Sequence, residues 1–118
     1  MGMTKKRLES LRKLEGKILY LEAMLEFLPP SRCIEQIKLK QQLEEAKAER
    51  FTVRRWIEGI PNPKVHAAMA LHYAAFTTWE ETALYLGGIS CHGVKKACER
   101  YLEAQQEKNA AGKDGQSE

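Results

Sequence analysis

The stretch Thr78-Trp79-Glu80-Glu81-Thr82-Ala83-Leu84-Tyr85-Leu86-Gly87-Gly88-Ile89-Ser90 carries local instructions for a helix, a tight turn and a second helix. Thr78 and Glu81 stand at capping-box spacing. The threonine hydroxyl accepts from the glutamate backbone, and the carboxylate reaches back to the threonine N–H. Ala83 is small enough for a following helix to cross closely. Gly87 suits the positive φ at which helices commonly end, and Gly88 lengthens the turn by one residue. Ile89 is the expected apolar plug of the turn, and Ser90 the cap of the next helix. Val94, Ala97 and Tyr101 form the packing line that anchors that helix, and Leu84 and Leu86 add to the same core. The spacing predicts a helix-turn-helix unit whose last helix ends near Gln105.

Toward the N-terminus, Gly59-Ile60-Pro61-Asn62-Pro63 is the sharpest punctuation in the chain. Asn62 is a good N-cap and Pro63 suits the first helical position. A short helix over residues 63–75 follows, with Val65, Ala68, Met69, His72 and Phe76 on its buried face. Before the break lie two heptad seams. Leu11, Leu14, Ile18, Leu21, Leu25 and Leu28 recur at steps of three and four, predicting a helix over residues 4–28, roughly 37 Å long. Pro29-Pro30 stops it, and Ser31 stands ready to cap a second helix reaching Glu58. The second seam holds Leu39, Leu43, Ala46, Arg50, Val53 and Ile57. Two helices of similar length across a short turn make an antiparallel hairpin. Arg50 has two readings: a packed stem with its head snorkelling to water, or a polar group that specifies register or partner.

The predicted class is therefore all-α, a long coiled-coil-like antiparallel helical hairpin followed by a three-helix helix-turn-helix unit. The expected divisions are the hairpin at 4–58, the helix-turn-helix domain at 62–105 and a polar, disordered tail at 106–118. The 118 residues are 43% hydrophobic and 30% charged, the mixture of a folded soluble chain. The net charge of +3 is uneven: residues 1–60 hold 13 Lys/Arg against 9 Asp/Glu, and residues 61–118 hold 6 against 7. A nucleic-acid footprint must therefore be a local patch.

Three cysteines without a C-x-x-C spacing suit a reducing compartment. No apolar stretch approaches membrane-span length and the N-terminus lacks a signal-peptide core, so the expectation is a cytoplasmic protein without a membrane partner. Cys91, His92 and Cys98 share a helix, but the two cysteines are two turns apart and nothing completes a tetrahedral set. No metal or cofactor is expected. There is no glycine-rich phosphate loop, the sole aspartate is Asp114, and Glu44-Glu45 and Glu80-Glu81 diverge around their helices. No catalytic residue is assigned, and the chain reads as a non-enzyme. His66 and His72 read as helix-face or core histidines, Trp56 and Trp79 as packing aromatics.

His72-Tyr73, Thr78-Trp79-Glu80-Glu81-Thr82-Ala83, Ser90, Val94 and Leu102 fall in an order that resembles the small sigma-like transcriptional regulators encoded by phages and prophages. The resemblance covers roughly residues 5–105 and is sharpest over 72–102. The chain departs from the pattern in three places: Gly88 lengthens the turn, Thr82 replaces an isoleucine, and Gly93 weakens the last helix by about 1 kcal/mol. The resemblance implies transcription regulation by DNA binding, with the last helix in the major groove. Its N-terminal and outward residues are then the DNA contacts: Ser90, Cys91, His92, Lys95, Lys96, Glu99 and Arg100. Lys95, Lys96 and Arg100 would neutralise phosphates or read guanine edges, and His92 would donate to an acceptor. A solvated helix face is the plain alternative for each. The implied partners are double-stranded DNA, RNA polymerase and a second copy joined through the hairpin. Two other classes fit the same residues: a protein-interaction adaptor using the hairpin, and a phage DNA-packaging (small terminase-like) subunit, which would form a ring.

Overall fold

The computed structural model describes residues 2–88 and 90–116, with side chains as far as Lys108. Among the described residues there are six α-helices, one π-helical turn and no strand. In chain order they are α1 (Lys5–Glu9), α2 (Leu11–Phe27), α3 (Cys33–Glu58), α4 (Pro63–Met69) running into a π-turn (Ala70–Ala74), α5 (Trp79–Leu86) and α6 (Cys91–Gln116). The radius of gyration is 18.0 Å, against about 13 Å for a compact chain of this length. The hairpin projects as an arm.

Both heptad seams are buried. Leu11, Ile18 and Leu21 on α2 meet Leu43, Ala46, Val53 and Ile57 on α3, with Leu14, Leu25 and Leu39 half-buried beside them. Ion pairs pin the register. Arg7 donates to both oxygens of Glu49 at 2.9 and 2.6 Å, Arg50 and Arg54 converge on Glu15 at 3.3 and 3.4 Å, and Lys47 lies 3.9 Å from Glu22. Arg50 thus turns its head to a partner across the hairpin rather than to water.

The first helix is not continuous. Ser10 Oγ donates to Arg7 O at 2.6 Å, the back-bonding that bends helices, and α1 is set off from α2 there. Leu28 ends α2 in extended geometry before Pro29, as a residue preceding proline must. Ser31 does not cap α3. Arg32 occupies that position without a side-chain cap, because its N–H closes a turn onto Pro29 O at 3.0 Å and shifts the helix start to Cys33.

The bend at Ser10 lets α1 reach back to the C-terminal helices. Met3, Leu8 and Leu11 share one core with Val53, Ile57 and Ile60 from the hairpin side. Val65, Ala68, Met69, Tyr73, Ala83, Val94, Cys98 and Leu102 complete it. A smaller core, Ile18, Leu21, Leu43 and Ala46, holds the arm. The boundary drawn between 58 and 62 is therefore crossed by a shared core, and only the outer hairpin is separate.

Asn62 caps α4 through Lys64 N–H (3.0 Å) and Val65 N–H (3.2 Å), with Pro63 in the first turn. The Thr78–Glu81 capping box is complete. Thr82 is fully buried, its hydroxyl 2.8 Å from both Thr78 O and Thr77 Oγ1, so the buried donor is not orphaned. The packing line on α6 is Val94, Cys98 and Leu102, with Tyr101 half-buried and Ala97 exposed. Leu86 packs on the core as expected, whereas Leu84 is 81% exposed. Residues 106–116, expected as a disordered tail, continue α6 to Gln116. Strong helix formers such as Ala104, Gln105, Gln106, Glu107, Ala110 and Ala111 carry it past the packed part. Ile89 and the last two tail residues, Ser117 and Glu118, lie outside the described residues.

Gly87 and Gly88 both have positive φ, at +68° and +72°, and a Cβ on either would meet open space. The cost of a side chain is therefore conformational: Gly87, at ψ 130°, lies outside the left-handed helical well, and Gly88 shares its positive φ. Each Gly→Ala change is expected to destabilise the protein by about 1–3 kcal/mol. Urea melts of the two single variants test this; a Gly88→Ala chain as stable as wild type would show that only Gly87 shapes the turn.

Candidate nucleic-acid interface

α5 and α6 meet across the turn Gly87–Ser90, with α4 packed against both. This is the three-helix arrangement in which the last helix is presented outward. Ser90 Oγ accepts from Gly93 N–H at 3.1 Å and so caps α6. The inward face of α6 is apolar. Its opposite face carries His92, Lys95, Lys96 and Arg100, all exposed. Among the described residues none of the three cations has an ion-pair partner within 4.0 Å.

Two of the predicted contacts stand apart. Cys91 is half-buried and packs against the core beside the turn. Glu99 is half-exposed and lies 4.0 Å from Lys5 on α1, which offsets its charge. Sequence reading missed Lys5 because its neighbour is 94 residues away along the chain. It also missed Lys64, which lines a small cleft with Gly93, Val94 and Ala97 and places a further cation beside the N-terminal half of α6. Glu80 opposes them: it borders the surface around Gly87, Gly88, Ser90 and Cys91.

The support beneath this face is a small aromatic lock. His72 stacks on Trp79 with ring centroids 3.7 Å apart, Tyr73 meets both edge-on, and His72 Nδ1–H donates to Thr77 O at 2.7 Å. Thr77 N–H closes onto Leu71 O at 3.0 Å, and Phe76 takes φ +62° where a glycine is usual. Arg12 covers the Phe76 ring at 5.8 Å. The π-turn and this reversal set the angle between α4 and α5. Trp56 meets Tyr101 edge-on at 5.8 Å and ties α3 to α6. Both tryptophans are therefore packing residues. His66 Nδ1 lies 2.9 Å from Ile57 O and joins α4 to the hairpin.

The chain matches no protein-family model, and no curated protein or solved structure shows significant similarity to it. The fold and the exposed face of α6 are thus the observations on which function rests. Among the described residues no three of His, Cys, Asp and Glu gather at metal-binding distance, and no helix is long and apolar enough to cross a membrane. Burial pushes the Cys98 thiol up to about 11 and the Tyr73 hydroxyl up to about 12, leaving both protonated at neutral pH.

Burial also lowers the His72 pKa below the ordinary histidine value of 6.5. The unfolded chain then takes up this proton first on acidification. The stability the neutral ring contributes is full above pH 6.5 and is lost as the pH falls toward the folded-state value. Chemical melts between about pH 7.5 and pH 5.5 should show this decline, with a smaller decline in His72→Gln. An equal decline in both chains would assign the linkage to another group.

Proposed function

We propose that the protein is a non-enzymatic transcription regulator of the phage or prophage type. It binds double-stranded DNA through α6 and acts as a homodimer joined by the hairpin. The single observation that carries the reading is the outward, unpaired presentation of Lys95, Lys96 and Arg100 on a capped helix that follows a glycine turn. His92 stands one turn ahead of Lys95 and Lys96 on the same face, and Lys5 and Lys64 flank it. In this reading phosphates are held by the lysines while Arg100 and His92 reach base edges. Cys91, being packed against the core, makes no direct contact, and Glu99 orients Lys5.

The test is selection of bound sequences from a pool of random DNA duplexes. A shared motif should emerge, with affinity falling as salt rises. Recovery of unenriched sequence would remove the regulator reading. A second reading, an adaptor, is favoured by one observation: Leu84 and Tyr85 on α5 are 81% and 71% exposed beside Glu80 and Glu81. An apolar pair of that kind is what a protein partner covers.

A further inference from the structure

α2 has a second seam. Gly16, Tyr20, Ala23 and Phe27 recur at steps of four, three and four on the face turned away from the buried Leu11–Leu28 line. Their exposure is unexplained by the single chain. Tyr20 is 62% and Phe27 82% exposed, with Leu19 at 69% and Met24 at 38% on the flanks. Gly16 sits in mid-helix, where glycine costs about 1 kcal/mol relative to alanine. A Cβ there would meet nothing within 4 Å, so nothing within this chain's own packing requires glycine at that position.

We propose that this outer face of α2 is a self-association surface on which a second copy packs antiparallel about a two-fold axis. The order small, large, small, large is self-complementary only in that direction. With the axis between Leu21 and Glu22, Phe27 of each copy lies over the partner's Gly16, and Tyr20 over the partner's Ala23. Large side chains then meet small ones in every layer. A parallel pair would set glycine on glycine and phenylalanine on phenylalanine, leaving a void beside a clash.

Charge points the same way. Beside this face the N-terminal half of α2 carries Lys13 and Lys17 and the C-terminal half Glu26, while Glu15 and Glu22 are turned to α3 in the hairpin ion pairs. Antiparallel packing brings opposite halves level, whereas parallel packing brings like charges together. The exposed apolar side chains offer roughly 500 Å² per copy, about 1,000 Å² in all, which reaches the lower bound of specific interfaces. The surface accounts for the dimer proposed above and in that respect rests on it, but it does not depend on DNA.

The experiment is a mass measurement in solution without DNA, so its outcome is independent of duplex binding. The wild-type chain should run at twice the chain mass at micromolar concentration. Gly16→Leu should weaken the dimer by about a hundredfold, since the added side chain blocks the seat of Phe27. It should keep the monomer's helix content and hold or raise its melting temperature, which a glycine required by the monomer's own packing would not allow. Tyr20→Lys should also give monomer. Orientation is read by disulfide trapping in a Cys33→Ser, Cys91→Ala background. Gly16→Cys mixed with Phe27→Cys should cross-link, and neither alone should. A monomeric wild type, a dimer indifferent to Gly16→Leu and Tyr20→Lys, or self-cross-linking of Gly16→Cys would each overturn the proposal.

Discussion

Replacing Lys95, Lys96 and Arg100 together with alanine is expected to abolish sequence-specific binding to duplex DNA while leaving the fold unchanged. All three side chains are exposed and unpaired among the described residues, so nothing in the core depends on them. Alanine is moreover the best helix former, which keeps α6 formed. Removing a single phosphate-binding cation should flatten the logarithmic salt dependence by about 0.9. Removing a bidentate pairing to a base should cost about 1–3 kcal/mol and relax preference at that position. Arg100→Ala alone therefore separates the two roles: a changed base preference marks readout, a flatter salt slope marks phosphate. Binding would be measured to a selected duplex at several salt concentrations, with circular dichroism as the folding control. If the triple variant binds as wild type does, α6 does not face DNA and another surface holds the duplex. Lys5→Ala and Lys64→Ala should weaken binding evenly across sequences, because they flank the helix rather than project from its centre.

Leu11→Asp is expected to unfold the protein, whereas Leu21→Asp should release only the arm. Leu11 is fully buried where hairpin, α1 and the C-terminal helices share one core. An aspartate there places a charge in a desolvated site. The cost exceeds about 4 kcal/mol, a large part of the stability of a small domain. Leu21 is equally buried but belongs to the smaller core with Ile18, Leu43 and Ala46. Its replacement should therefore fray the outer hairpin and leave the aromatic lock around His72 and Trp79 in place. Hydrogen exchange resolved by residue distinguishes the two. Protection absent throughout is the expected result for Leu11→Asp, and protection kept in α4, α5 and the packed part of α6 is expected for Leu21→Asp. Equal loss in both would mean that the arm and the base fold as one unit.

Much of this architecture was legible in the residues because the signals are local or periodic. The Thr78–Glu81 box, the Asn62–Pro63 start and the Pro29-Pro30 stop act within a few residues, and the heptad steps of the two hairpin helices state which face is buried. The bend at Ser10 had a local cause too, but a lone serine on a helical pattern more often points to water, and only the 2.6 Å bond to Arg7 O reveals the break. Arg32 displaced Ser31 for a similar reason: a turn closing on Pro29 won over a side-chain cap.

What tertiary structure alone decided is which of several equivalent faces is covered. Ala97 and Cys98 are neighbours on α6, and either extends a line from Val94; the crossing angle of α4 and α5 chose Cys98. Leu84 and Leu86 are equally apolar, yet only Leu86 finds the core. Lys5 and Glu99 come within 4.0 Å because α1 and α6 both bury side chains in the shared core, a meeting no periodicity announces. The sequence by itself determined helix type, ends and hairpin, since those depend on backbone geometry and repeat. The packing of α1 onto the C-terminal unit, and with it the cations beside α6, depended on which surfaces were left to bury once the helices had formed.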